Sequence, residues 1–249
     1  MLIKKSIDNL IYSSVKVEGI DASFAQTSKI VENGIAENIS PSDLNKIICI
    51  KHGYEYLLDN YQKPLTWELF SRYNSIIGKG NVHDAGSMRP PGVIHVGDYY
   101  PEDVSLDKFN RIVDTALSTG YDAEDIACQL LLNLAKSQFF HDGNKRSSLI
   151  LANHYLAHED ADRVILVLDE DKEHPKTRKF LDILVDYYHD NISIDDASWD
   201  LQDFVVLDEE AVNNIYSQTE TIDKLMSAKS EEAGFQNSSL SCKENDISR

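Results

Sequence analysis

Between Gln138 and Ser148 the chain reads Gln-Phe-Phe-His-Asp-Gly-Asn-Lys-Arg-Ser-Ser, which gathers an acid, a permissive glycine and two adjacent cations into one short stretch. Lys145 and Arg146 fall in the first turn of a predicted helix, where the macrodipole disfavours a cation by about 0.3–1 kcal/mol each. Backbone N–H groups already point outward at that end. Cations collected there make sense if an anion sits between them, most economically a phosphate. Asp142, just before the turn, is placed to hold a hard divalent cation against the same phosphates. The bland alternative is that Asp-Gly-Asn serves only as cap and turn chemistry while the Lys-Arg pair faces water.

Two helices must position this stretch. Upstream, Asp122 to Lys136 carries Ile126, Ala127, Leu130, Leu131 and Leu134 at helical spacing. Downstream, Leu149, Ile150, Leu151, Ala152, Tyr155 and Leu156 are apolar on most faces, which predicts a central, buried helix. Ahead of this pair the periodicity predicts helices over residues 1–19, Phe24–Asn33, from Ser40-Pro41 onward, from Thr66 to Gly78, and from Ser105 to Gly120. Asn81 to Pro101 breaks the pattern: its glycines and prolines surround Val93-Ile94-His95-Val96, which reads as a small exposed hairpin. Beyond the central pair come a short apolar strand (Arg163–Leu168), a helix opened by His174-Pro175, a short helix containing Trp199, and an amphipathic helix through Val212 to Met226. Ser227 to Arg249 is polar and reads as disordered.

Two further constellations need weighing. In Ser14-Val15-Lys16-Val17-Glu18-Gly19, Ser14 and Glu18 share one helix face at i, i+4. A glutamate in the last turn has the wrong sign for the dipole, so it either finds a cation or points at water. His154 and His158 have a spacing that suits zinc, but no third ligand accompanies them, and packing or capping is the better reading.

Composition narrows the partners. With 24 basic against 42 acidic side chains the net charge is −18, which argues against nucleic acid and against anionic membrane surfaces. Hydrophobic residues at 42% allow a substantial core. Cys49, Cys128 and Cys242 lack paired spacing, which fits a reducing compartment. The first residues contain no long apolar run, so no signal peptide is expected, and a soluble, cytoplasmic protein is the expectation.

Phe140, Asp142, Gly143, Asn144, Lys145 and Arg146 match in order the signature of the Fic family, His-x-Phe-x-(Asp/Glu)-Gly-Asn-(Gly/Lys)-Arg, with Gln138 at the histidine position. The resemblance extends over roughly residues 10–205. It implies an all-α fold, a Fic-type helical core with a small β-hairpin flap, here Arg89 to Tyr100. The implied layout is N-terminal regulatory helices over 1–35, the core domain over 36–205, and a C-terminal helix and disordered tail over 206–249. It implies ATP and Mg²⁺ as cofactors and transfer of AMP to a protein hydroxyl, with a target protein docked along the flap. Homo-oligomerisation or self-modification is left open.

Residue by residue, the resemblance implies that Phe140 anchors the hinge and Asp142 binds Mg²⁺. Gly143, Asn144 and Lys145 would line an anion hole, and Arg146 would contact a terminal phosphate. Gln138, Asp142, Asn144 and Arg146 are the implied catalytic set. Gln138 cannot accept a proton at neutral pH, though its amide could orient a hydroxyl. A base would then be water, a phosphate oxygen or His141. Lys145 resembles the related death-on-curing proteins, which move phosphate, so a phosphotransferase is one alternative. A nucleotide-binding regulator without turnover is another. Ser14, Glu18 and Gly19 are similar to an inhibitory Ser/Thr-x-x-x-Glu-(Gly/Asn) motif whose glutamate enters the nucleotide site. Leu149 replaces the second arginine that pairs with this glutamate in the family, so Lys145 or Arg146 would have to serve.

Overall fold

A computed structural model of the chain describes residues 2–35, 38–92, 96–168 and 176–207. The expected helix over Val212 to Met226, the disordered tail, the His174-Pro175 helix start and the Val93–His95 part of the hairpin lie outside the described residues. Most of the described chain is α-helical. Helices α1 (Leu2–Lys5), α2 (Ile7–Val17) and α3 (Phe24–Asn33) lead into α4 (Pro41–Asn60) and α5 (Trp67–Ile77). The centre is α6 (Leu106–Ser118), α7 (Ala123–Ser137) and α8 (Asn144–His158), followed by α9 (Lys176–Tyr188) and α10 (Ile194–Leu201). Their starts follow the local chemistry. Ser23, Ser40, Thr66, Ser105 and Ser193 each accept a hydrogen bond from a backbone N–H two or three residues into the helix they cap.

The α7–α8 pair forms the heart of the molecule, and α8 is buried along nearly its whole length. Helices α2, α4 and α5 pack on α8, while α6, α9 and α10 pack on α7. One continuous apolar core runs from Leu2 to Val206, so the N-terminal helices share it rather than standing apart. The two-stranded antiparallel sheet of β1 (Val164–Ile165) and β2 (Val205–Val206) pairs Val164 with Val206 and Ile165 with Val205. It hangs from α8: Asn153 accepts from the Ile165 N–H at 2.8 Å and donates to the Ile165 carbonyl at 3.2 Å. In the expected hairpin, Val96 and Tyr99 exchange backbone hydrogen bonds of 2.9 and 3.1 Å around Gly97-Asp98, making a tight turn.

His154 is fully buried, with both ring nitrogens taken, by the Tyr73 hydroxyl at 2.7 Å and the Lys63 carbonyl at 2.8 Å. Burial pulls its pKa down from 6.5 to about 4, partly offset by the carbonyl bond. Between those pH values the unfolded chain binds a proton that the folded chain refuses. Stability is therefore full above pH 6.5 and falls by about 3 kcal/mol as the pH drops toward 4. His154→Gln retains an acceptor and a donor without titrating. Urea unfolding across this window should show a steeper loss for the parent than for the variant.

Candidate active site at the hinge between the central helices

The hinge is built by two left-handed turns. Gln138 ends α7 with φ +51, a costly conformation for a residue with a Cβ. It is over-determined: its Nε2 donates to the Ala135 carbonyl at 2.7 Å, and its Oε1 accepts from Asn144 Nδ2 at 3.0 Å. Its carbonyl accepts from Arg89 Nε at 2.7 Å. Gly143 begins α8 with φ +78, and a Cβ there would meet Asn74 Nδ2 at 2.9 Å, so glycine is required twice over. Asn144 spans the hinge, with Oδ1 accepting from Phe140 N–H at 2.9 Å and Nδ2 donating to the Phe140 carbonyl at 2.8 Å. Its amide is thus consumed by the loop, a structural use for a residue expected to act on nucleotide. Phe140 is buried, stacked on Trp67 with centroids 5.4 Å apart and tilted against Phe70 at 4.9 Å.

From this frame the charged groups project into one cavity of about 500 Å³. Its polar side is Glu18, Gln138, His141, Asp142, Gly143, Asn144, Lys145 and Arg146. The turn residues Val96 to Tyr99 form a second wall, as expected of a flap. A third wall, from α9, is largely apolar: Leu181, Leu184, Val185 and Tyr188. Helical periodicity marks such a face as one to be buried without saying what is buried against it.

Glu18 is the most informative member. One carboxylate oxygen lies 2.8 Å from Arg146 Nε and the other 3.5 Å from Lys46 Nζ. Arg146 is 2% exposed, and its Nε makes no aligned hydrogen bond, so the contact is charge against charge. Arg146 also reaches Asp142 Oδ1 through Nη2 at 3.3 Å. Lys145 is partly buried. That burial lowers its pKa, while Glu18 opposes the shift and Arg146 reinforces it. Of the two substitutes expected for the missing arginine, Arg146 makes the pair. Lys46, on α4, supplies a second cation that sequence reading missed. Leu149 is wholly buried in the core.

Ser14 does not line the cavity. It is buried, with its hydroxyl 2.9 Å from that of Tyr54 on α4, while Ser13 accepts from Val167 N–H at 2.8 Å. The two serines fix α2 so that Glu18, at its end, faces the hinge. Gly19 follows with φ +74, turning the chain away. Two buried residues outside the signature hold the loop. Asn74 donates to the Asp142 carbonyl at 2.8 Å and to Ser147 Oγ at 3.1 Å. Arg89 joins its backbone N–H to the Phe139 carbonyl at 2.9 Å and its Nη2 to the Glu102 carbonyl at 2.5 Å, closing the base of the flap. An arginine directly before Pro90-Pro91 was the only sequence signal for that staple.

The N-terminus of α8 is chemically open. Gly143 offers no capping side chain, and no acid lies in the first turn. The donor set nearby fits a magnesium ion shared with phosphates. Asp142 presents a half-exposed carboxylate whose Oδ1 is fixed by Gly143 N–H at 2.5 Å. Magnesium is commonly held by one or two carboxylates together with substrate oxygens. Among the described residues no cluster of three His, Cys, Asp or Glu side chains stands ready to cage a metal alone.

No family model and no curated protein matches the chain. Solved structures do. A fragment of Fic-1 from C. elegans superposes with a TM-score of 0.68 at 15% identity, covering 90% of this chain and 65% of that one. A Fic domain containing signaling protein from Bacteroides thetaiotaomicron gives 0.60 at 17% identity, covering 87% of both chains. A Fic family protein from Desulfovibrio desulfuricans gives 0.60 at 12%, over 88% of this chain and 66% of that one. The protein thus has the helical Fic-type fold, with a small antiparallel sheet. It spans about two thirds of the length of the first and last of these neighbours. No helix among the described residues is long and apolar enough to cross a membrane.

Proposed function

We propose that this chain binds Mg·ATP in the hinge cavity and transfers AMP to a protein hydroxyl, with Glu18 restraining the reaction. The observation that carries the reading is a carboxylate, Glu18, already seated on a buried arginine at the uncapped N-terminus of the central helix. A site that holds one anion there is built to hold a phosphate in its place. The apolar wall of α9 offers a surface for a base, and the signature side offers the cations.

Phosphoryl chemistry needs little covalent help, so positioning and charge neutralisation supply most of the rate. Arg146 would grip phosphate oxygens through its guanidinium fork. The open N–H groups of α8 and Lys145 would share the remaining negative charge. Asp142 would hold the magnesium ion, which would supply neutralisation of the charge developing on the phosphates. Asn144 and Gln138 would keep the loop in register by the bonds described above.

A second reading, a nucleotide-binding regulator without turnover, is favoured by one observation. Both ends of the Gln138 amide are engaged, so it is not available to orient a hydroxyl in this arrangement. Phosphate transfer, suggested by Lys145, is the third outcome. Intact-mass measurement after incubation with ATP and Mg²⁺ separates them by added AMP, added phosphate or neither. Asp142→Asn, which can still accept from Gly143 N–H, should weaken Mg·ATP binding about tenfold or more with the unfolding temperature little changed. Binding equal to the parent's would place the nucleotide elsewhere.

A further inference from the structure

The signature lacks a proton acceptor where it is expected, yet the cavity holds two histidines among the described residues, His141 and His189. They differ in how they are held. His141 is exposed, beside Asp142, and has no hydrogen-bond partner among the described residues. His189, just past the end of α9, has Nε2 3.2 Å from the Asp98 carboxylate on the flap turn. Its ring stands edge-on to Tyr99 at 6.0 Å, with the planes 79° apart. Tyr99 is itself fixed, packed on Tyr188 at 5.3 Å and donating to the Lys136 carbonyl at 3.1 Å. An imidazole held by a carboxylate on one nitrogen, with the other nitrogen open among the described residues, is the arrangement that general bases use. An ion pair this exposed, with Asp98 at 92%, adds little to folding stability, so stability does not account for it.

We propose that His189, oriented by Asp98, takes the proton of the attacking hydroxyl; the inference rests on the transferase reading above. The target oxygen forms a bond to the α-phosphorus. The bond from that phosphorus to the bridging oxygen breaks, and pyrophosphate leaves with the electron pair. The hydroxyl proton passes to His189 Nδ1 while Nε2–H donates to Asp98, and the imidazolium later returns its proton to solvent. The dyad comes from two elements, the flap turn and the end of α9, so base and flap are assembled together. The other charged or titratable groups around His189 are Tyr99 on the flap, Tyr187 and Tyr188 on α9, and Asp190, which is paired with Lys136 at the end of α7.

The test follows pyrophosphate release and incorporation of α-labelled ATP in the Glu18→Gly background, where the restraining carboxylate is gone. His189→Asn should slow turnover about 10²-fold with Mg·ATP affinity unchanged, since a positioned base supplies about that much. The acid-side fall in rate that a histidine base imposes should disappear with it. Asp98→Asn, acting through His189, should move that pH limb. Gln138→His added to His189→Asn should restore turnover, which a merely structural role for His189 would not allow. Turnover by His189→Asn equal to its background, with the same pH profile, overturns the assignment and leaves the transferase reading standing. Mg·ATP binding without turnover in the Glu18→Gly background, and again with Gln138→His added, overturns the transferase reading and this inference with it.

Discussion

Glu18→Gly is expected to tighten Mg·ATP binding by about 10–100-fold, the worth of about 1.5–3 kcal/mol in charge-assisted contact at one site. The carboxylate that must leave Arg146 before a phosphate can bind is then gone. The same substitution should lower the unfolding temperature of the protein without nucleotide. Among the described residues Arg146, 2% exposed, would retain only Asp142 at 3.3 Å as a counter-charge. A buried charge stripped of its partner is destabilising. Saturating Mg·ATP should recover that loss by mass action. Calorimetric titration and thermal unfolding with and without nucleotide measure both effects. Unchanged affinity together with an unchanged unfolding temperature would make Glu18 an ordinary surface acid. Lys46→Ala separates the two cations, because it removes the 3.5 Å partner of Glu18 without touching the hinge.

Arg146→Ala carries the opposite sign and a larger size. Truncating a buried, charge-paired arginine costs about 2–5 kcal/mol in binding, so Mg·ATP affinity should fall at least about 30-fold. Arg146→Lys should recover little of it. A guanidinium reaches Glu18 through Nε and Asp142 through Nη2 at once, and an ammonium cannot reproduce that fork. Isothermal titration of the three proteins, with circular dichroism to verify the fold, tests this. Parent-like affinity in Arg146→Ala would remove the arginine from the phosphate site and with it the observation on which the proposed function rests.

Much of the frame was legible before any coordinates. The caps at Ser40 and Thr66, the glycine stops at Gly34 and Gly78, and the central pair around the signature all follow from local rules, because they depend on neighbours within a few residues. The signature itself was legible for the same reason. Its residue types lie together in the chain, and glycine at 143 is demanded by a backbone angle that sequence can suggest. That Glu18 must either find a cation or face water was also readable from its place on the helix dipole.

Which cation it finds was decided only by folding. Arg146 lies 128 positions away in the chain and Lys46 28, and no periodic pattern records such a meeting. The same holds for Asn74 on the hinge, Arg89 under the flap, and the wall that α9 lends the cavity. Asn144 illustrates the converse, a residue to which the resemblance assigned ligand contact but whose amide the loop itself consumes. Local propensity acts through bonds between near neighbours. The partners of buried polar groups are set by the packing of whole helices, which must satisfy every buried donor and acceptor at once. Thus Ser13 and Tyr54, which no motif singled out, join Ser14 in determining where α2 ends in space, and so where Glu18 points.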